Sequence, residues 1–411
     1  MVWLPEGPVE DSSCLPRWST CTNNQNGCCD GLICRGDQYY KQCQHPNEGG
    51  IITDPVEPTD APVPQVTPPP VPVEATEAPV SQITPSPVVA TPPPPTGHVG
   101  DDSRLVAFLG NWQSCPSDAQ IAPYTHIIVS FAVTYDWPVS NFDACQIRTN
   151  VPICGNSNRQ DLVDHWRSLG KKVLVSFGGA NMGGTWMGSG GQPWDACYGK
   201  EESIVQQLHD IVLAQNFDGV DIDYEYFYDT PARKNFLIKI TQGLKVGLGS
   251  APKLPTGQDE VSHAPMENAL RPGQAYFDIL TDNAMHVDFL MPQYYNAYTY
   301  PARDGLTAVG SAGYSALSHY KDMVNGIFAG DATSVVFGFC VTQCGTFNAN
   351  GVQAASVMSE LATHYPCNGG AFFWVAADDL DSSWSNPVSE ALEQFEGCSA
   401  DSTFNLPPWS D

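Results

Sequence analysis

Nine residues, Phe217-Asp218-Gly219-Val220-Asp221-Ile222-Asp223-Tyr224-Glu225, constrain the fold of this chain more than any other segment. Drawn out as a strand they alternate: Gly219, Asp221, Asp223 and Glu225 share one face, and Val220, Ile222 and Tyr224 share the other. The second face is apolar and calls for burial under another layer, which rules out a surface strand. The first is a ladder of three carboxylates, and Asp218 falls off it. A fold that accepts such a strand must cover both faces and still bring one end of the acidic face to an opening.

Parallel sheets flanked by helices meet that demand. Across residues 101–400 apolar runs alternate with amphipathic ones. Strands are expected at Leu105–Leu109, His126–Ala132, Lys172–Phe177, Gly219–Glu225, Glu260–Ala264, Val287–Tyr295, Ser334–Val341 and Gly370–Val375. Helices are expected at Gln160–Leu169, Ile204–Gln215, Ala232–Leu244 and Val352–His364. Eight strands buried on both faces and joined by helices fit an α/β fold, the (β/α)8 TIM barrel, whose functional side chains collect at the C-terminal mouth. A doubly wound open sheet is the competitor. It would carry a Gly-rich phosphate loop after its first strand, and Leu109-Gly110-Asn111-Trp112 is not one.

With 411 residues the chain has room for this domain and something smaller. Proline marks the boundary. Residues 46–100 include Thr67-Pro68-Pro69-Pro70 and Thr91-Pro92-Pro93-Pro94-Pro95-Thr96, a composition that favours extended polyproline II and cannot collapse into a core. This stretch reads as a disordered, semi-rigid tether. Its threonines are candidates for O-glycosylation, and no Asn-x-Ser/Thr sequon occurs in the chain. Residues 1–45 hold Cys14, Cys21, Cys28, Cys29, Cys34 and Cys43. So few residues cannot bury a sufficient core, and three disulfides are expected to staple them. Residues 401–411 form a tail.

Charge and cysteine usage narrow the partners. A formal charge of −27 and a pI near 4.4 repel nucleic-acid phosphate and anionic membrane alike, whereas a neutral polysaccharide meets no such penalty. No apolar run is long enough to cross a bilayer. Fourteen cysteines, an even number, suit an oxidising compartment. An extracellular monomer is expected, although Met1–Ser12 is too acidic for a signal peptide, which would have been removed or lie upstream. The eight cysteines outside residues 1–45 should be paired, in a connectivity one sequence does not give.

Three neighbouring carboxylates in a dry site cannot all ionise, so protons are shared and at least one pKa rises. That suits a general acid aimed at a leaving oxygen. Acidic ladders also bind hard cations; neither a metal nor a cofactor is expected here, and the cysteines show no zinc-ligand arrangement.

Asp218-Gly219-Val220-Asp221-Ile222-Asp223-Tyr224-Glu225 resembles the DxxDxDxE signature of family 18 glycoside hydrolases, the chitinases, at all four acidic positions. The resemblance implies that Glu225 protonates the glycosidic oxygen. It implies that Asp223 orients the substrate's own 2-acetamido group as nucleophile, that Asp221 shares a proton with Asp223, and that Asp218 is structural. Family 18 is known for this substrate assistance in place of a carboxylate nucleophile. Ser176-Phe177-Gly178-Gly179 resembles the family's SxGG motif, with Ser176 bonded to Asp221 and Gly178 and Gly179 letting backbone approach the ladder. Gln293-Tyr294-Tyr295-Asn296 resembles Gln-x-Tyr-Asn of plant- and fungal-type members, which gives Tyr295 a hydroxyl for the acetyl oxygen and sets Gln293 and Asn296 on nearby sugar atoms. Pro292 is an oddity there, since it removes a ladder donor. Trp374 resembles the tryptophan that floors the subsite of the distorted sugar.

Other aromatics, Trp137, Trp186, Trp194, Tyr226, Tyr298 and Tyr300, are candidates for stacking on sugars or for ordinary packing. His263 reads as structural. The Cys-rich spacing resembles cystine-knot (knottin) miniproteins and small fungal-type cellulose- and chitin-binding modules, which makes Trp18, Tyr39 and Tyr40 a candidate sugar-stacking strip; the alternative is aromatics that only cover disulfides, or an inhibitor-like module. The partner implied is chitin or a chitooligosaccharide. An endo-β-N-acetylglucosaminidase acting on N-glycans and a non-catalytic chitin-binding lectin are the rivals, and Glu225 argues against the lectin. Many processive members insert an α+β domain between the seventh and eighth strands. The interval between Val341 and Gly370 leaves no room for one, so an open groove and endo cleavage are expected.

Removing residues 1–98 is expected to leave cleavage of soluble chitooligosaccharides intact and to weaken action on crystalline chitin, because a tethered module raises local concentration without touching the chemistry. Depletion binding to insoluble chitin checks this, and unchanged binding would give the Cys-rich region another task.

Overall fold

Eight short apolar segments pair in parallel into one curled sheet. They are β1 (Arg104–Gly110), β2 (His126–Ala132), β3 (Lys172–Gly178), β4 (Gly219–Asp223), β5 (Glu260–His263), β6 (Phe289–Leu290), β7 (Phe337–Cys340) and β8 (Gly370–Trp374). The ladder runs β6-β5-β4-β3-β2-β1-β8-β7. Its two edge strands meet at a parallel bridge between Leu290 and Val335, where the Val336 N–H donates to the Leu290 carbonyl at 2.8 Å. The arrangement fits a (β/α)8 TIM-like fold. The structure, a computed structural model, describes residues 103–136, 140–183, 193–226, 228–295 and 298–393, and the backbone of an antiparallel strand pair, Ile33–Gly36 with Lys41–Gln44. The chain divides into two units at Pro95/Thr96. The readings placed on Trp18, Tyr39, Tyr40, the Pro-rich stretch, the tail, Trp137, Trp186 and Asn296 lie outside the described residues.

Side-chain alternation sorts each strand into two cores. In β1, Leu105, Ala107 and Leu109 face the helix layer, while Val106 and Phe108 point into the barrel with Ile128, Leu174, Phe289, Met291, Val336 and Phe372. In β4, Val220 and Ile222 join the outer core, as does Tyr224 just past the strand, which leaves Asp221 and Asp223 inside. The helix layer follows ordinary signals. Helix α1 (Asp118–Ile121) is a single turn; α2 (Gln160–Ser168), α3 (Glu201–Gln215) and α4 (Pro231–Val246) lie where expected, to within a few residues. Thr230 caps α4 by accepting the Arg233 N–H, and Pro231 opens the first turn. Its Phe236, Leu237, Ile240 and Leu244, at helical spacing, are fully buried, a burial that contributes about 1.5–3 kcal/mol per side chain. Helices α5 (Ala275–Asn283), α6 (Pro301–Asp304), α7 (Ala316–Gly326) and α9 (Ser385–Glu393) were not anticipated; α8 (Gly351–His364) was.

Two strands end two or more residues earlier than their patterns suggested. The sixth was expected to run Val287–Tyr295, but its ladder covers Phe289–Leu290, and Pro292 has no N–H to offer on the side away from β5. The chain still follows β5, through Gln293 N–H to Pro265 O at 3.0 Å. The fourth stops at Asp223, so Tyr224 and Glu225 stand beyond the sheet.

Three cross-links lie at the C-terminal side, while Cys367 precedes β8 at the other end. Cys115–Cys154 and Cys145–Cys197 join the loops that follow β1, β2 and β3, Cys340–Cys344 closes a small loop after β7, and Cys367 is also disulfide-bonded. At the opposite end, His126 Nε2 lies 3.1 Å from Glu260 Oε1. Burial pushes the Glu260 carboxyl up, but the His126 hydrogen bond and the charges of His126, Arg104 and Lys172 outweigh it and hold it below its ordinary value. A depressed folded-state pKa gives stability that is present above the unfolded value and is lost as pH falls. Glu260→Gln is therefore expected to lower stability near neutral pH by about 1–3 kcal/mol. In thermal unfolding followed against pH, the gap to the wild type should close below about 4.5; a gap that persists in acid would mean that the lost contribution is packing.

Candidate active site

Strand register builds the site. Ser176 of β3 and Ser262 of β5 both pair with Asp221 of β4, so three side chains meet at one level inside the barrel. The Ser176 hydroxyl donates to Asp221 Oδ2 at 2.7 Å and the Ser262 hydroxyl to Oδ1 at 2.8 Å. Asp221 is fully buried. Burial pushes its pKa up to about 7, with the two serines and a backbone amide pulling the other way. Two residues on, Asp223 is nearly as buried and lies well above the ordinary carboxylate range, first through burial and then through the charges of Glu225 and Asp221. Glu225 stands at the mouth, half-buried, and burial raises it to about 7.

Gln293 joins the upper two acids. Its Nε2 lies 3.2 Å from Asp223 Oδ1, 3.2 Å from Glu225 Oε1 and 2.9 Å from the Ala264 carbonyl. An amide nitrogen has two hydrogens for these three acceptors, so one is shared. The donation lowers both carboxyls, against the larger effect of burial. Tyr295 is buried beside them with its ring edge on Phe372, 6.1 Å between centroids. Its hydroxyl pKa is raised well above the ordinary value, by burial and then by Asp223, Glu225 and Asp221.

Backbone approach demands glycine at two positions. Gly178 has φ +128°, and a Cβ there would stand 2.2 Å from the Asp223 carbonyl oxygen. Gly179, at φ +83°, donates its N–H to that same oxygen at 2.8 Å, and a Cβ on it would meet the Phe131 ring at 2.8 Å.

Residues 104–323 match the family model described as glycosyl hydrolases family 18. The chain belongs to that family. Among solved structures it is similar to a GH18 chitinase from Pseudoalteromonas aurantia, with 20% identity over 70% of this chain and 100% of that one and a TM-score of 0.54. It is also similar to a putative chitinase A from Streptomyces coelicolor, with 17% identity over 71% and 99% of the two chains and a TM-score of 0.52. At these identities the likeness is one of fold. A search of curated proteins found no match.

In this family 18 chain, Trp374 ends β8 among aromatic neighbours. Phe131 stacks on it at 5.8 Å and 17°, while Phe108 and Trp112 tilt against it at 6.1 and 6.2 Å. Trp112 is 48% exposed. Sequence reasoning overlooked Phe108, Phe131 and Ser262. A polar residue on the inward parity of the run Val261-Ser262-His263-Ala264 was the available signal for Ser262, and it signified only once the strand register was known.

The surroundings of the remaining candidates sort them. Trp194 is fully buried between Phe177, Tyr224 and Phe236, which removes it from the sugar-facing candidates. Tyr300 stacks on Phe347 at 4.3 Å with the Arg303 guanidinium 4.0 Å from its ring centroid, and Tyr226 lies under Arg233 with its hydroxyl on Asp195. Tyr298 is 38% exposed. Asp218 faces away from the ladder, held by Arg167 at 3.0–3.1 Å and by the Val173 N–H. His263 is enclosed by Thr241 and Tyr276, its pKa lowered to about 3 by burial. Among the described residues no group of three or more His, Cys, Asp or Glu side chains is placed to hold a metal ion.

Gly178→Ala is expected to destabilise by at least about 2 kcal/mol, because strained φ and a backbone clash coincide. Thermal unfolding measures it. A wild-type midpoint would mean that β3 can slide away from Asp223.

Proposed function

We propose that the chain is a secreted chitinase that cleaves β-1,4-linked N-acetylglucosamine polymers internally, with retention and with the substrate's acetamido group as nucleophile. One observation carries the reading: a half-buried Glu225, raised to about 7, shares the Gln293 amide with a buried Asp223 above the serine-bound Asp221. A carboxyl of that pKa is largely protonated in mildly acidic solution, as a general acid requires.

Glu225 gives its proton to the glycosidic oxygen as the bond to C1 breaks. The acetamido carbonyl oxygen of the same sugar closes on C1, Asp223 accepts the acetamido N–H, and the Tyr295 hydroxyl donates to the acetyl oxygen. The Glu225 carboxylate then takes a proton from water, which opens the cyclic intermediate on the original face. The proton shared by Asp221 and Asp223 lets negative charge settle on Asp223 when the acetamido nitrogen becomes cationic. Gln293 holds Asp223 and Glu225 in register, and Trp374 floors the reacting sugar.

Disulfides in the barrel support an oxidising, extracellular location. Between β7 and β8 the chain forms only the turn Gly345–Phe347 and α8, with no added domain, which supports an open groove. The names of the two solved relatives point to the same substrate.

Glu225→Gln is expected to fold and to lose at least about 100-fold in kcat/KM on chitooligosaccharides, since the amide has no proton to give. Residual activity above a tenth of wild type would remove Glu225 from this role. In the wild type, kcat/KM should fall as pH rises through about 7, where Glu225 ionises. Colloidal chitin should be cut to mixed-length products of retained configuration. Faster release from a high-mannose glycopeptide would make the chain an endo-β-N-acetylglucosaminidase, and early dominance of the disaccharide would exclude the open groove.

A further inference from the structure

We propose that Gln343 is a positioning residue that fixes the indole of Trp374, and that the Cys340–Cys344 disulfide holds Gln343 in place to do so. The inference rests on the reading of Trp374 as the sugar platform. The rings of Phe108, Trp112 and Phe131 confine the indole plane. The polar handle of the indole is Nε1–H, which donates to Gln343 Oε1 at 3.4 Å.

A glutamine amide can turn either end toward a neighbour, and only its oxygen can accept the indole proton. Asp378 decides the orientation. Gln343 Nε2 donates to Asp378 Oδ2 at 3.1 Å; a carboxylate accepts and does not donate, so the NH2 end is committed to it and the carbonyl is left facing Trp374. Gln343 is exposed, and an exposed side chain on a free loop would seldom hold one such arrangement. Here the loop is closed by Cys340–Cys344, four positions apart. Asn348, just beyond the ring, braces it by accepting the Cys344 N–H at 2.7 Å and donating to the Thr342 carbonyl at 2.8 Å. The Val341 N–H donates to the carbonyl of Trp374 itself at 2.8 Å. Ring closure thus removes most of the loop's freedom before the amide is placed.

The experiment compares kcat/KM on chitooligosaccharides for Gln343→Ala, Trp374→Ala and the double variant of the full chain. Gln343→Ala is expected to lose about three- to tenfold, the size of one neutral hydrogen bond, and to lose nothing further when Trp374 is already alanine. Exchanging the pair, Gln343→Glu with Asp378→Asn, keeps an acceptor for the indole and a donor between the two positions, so it should recover activity that Gln343→Glu alone loses. An equal loss in both Trp374 backgrounds, no loss in the wild-type background, or no recovery in the exchanged pair would each overturn the inference. If Trp374→Ala by itself leaves kcat/KM unchanged, the platform reading falls instead, and this inference falls with it.

Discussion

Keeping two carboxyl groups dry, one above the other, is the condition around which the barrel interior is arranged. An isolated buried carboxylate is unfavourable by several kcal/mol unless donors or a proton compensate. Asp221 has a hydroxyl on each side because β3 and β5 both pair with β4 at its level. Asp223 has no such flanking hydroxyls; it has the Gln293 amide and a raised proton affinity. The difference follows from register, since the β3 partner of Asp223 is Gly178, which has no side chain to offer. That glycine is required in turn by the nearby Asp223 carbonyl. The chemistry of the ladder and the geometry of the strands are therefore one constraint.

The two ends of the barrel treat charge differently. At the N-terminal end, Glu260 is matched by His126, Arg104 and Lys172, and its carboxyl is held low. At the mouth, no cation pairs with Asp221, Asp223 or Glu225 among the described residues, and all three are held high. Carboxyl groups under the same sheet thus serve as ionised anchors at one end and as proton holders at the other, according to what surrounds them.

Much of this was legible in the sequence. Alternation in Phe217–Glu225 put Asp221 and Asp223 inside and Asp218 outside, which is where they lie. Eight apolar runs gave the strand count. What stayed hidden depended on distant partners. Ser262 gains meaning only from its register with Asp221, and Gln293 turns toward two carboxyls that sequence spacing does not bring near it. Trp194 looked like a loop aromatic because nothing local tells a rim tryptophan from one driven under Phe236 by a disulfide-bonded loop. Helices α5, α7 and α9 escaped because their apolar stripes are short and interrupted by polar residues.

The distribution of cystines gives the mouth two mechanically different halves. Loops after β1, β2, β3 and β7 are covalently stapled. From Tyr198 to Phe339 the sequence contains no cysteine, so the rim segments after β4, β5 and β6 are ordered by non-covalent contacts alone. A reductant acts directly on the first arc, the side of Trp112, Phe131 and Trp374, and has no bond to break in the second, where Glu225, Gln293 and Tyr298 lie. The carboxylate side of the mouth therefore has no bond that redox conditions can break, and reduction at the rim acts through the aromatic side.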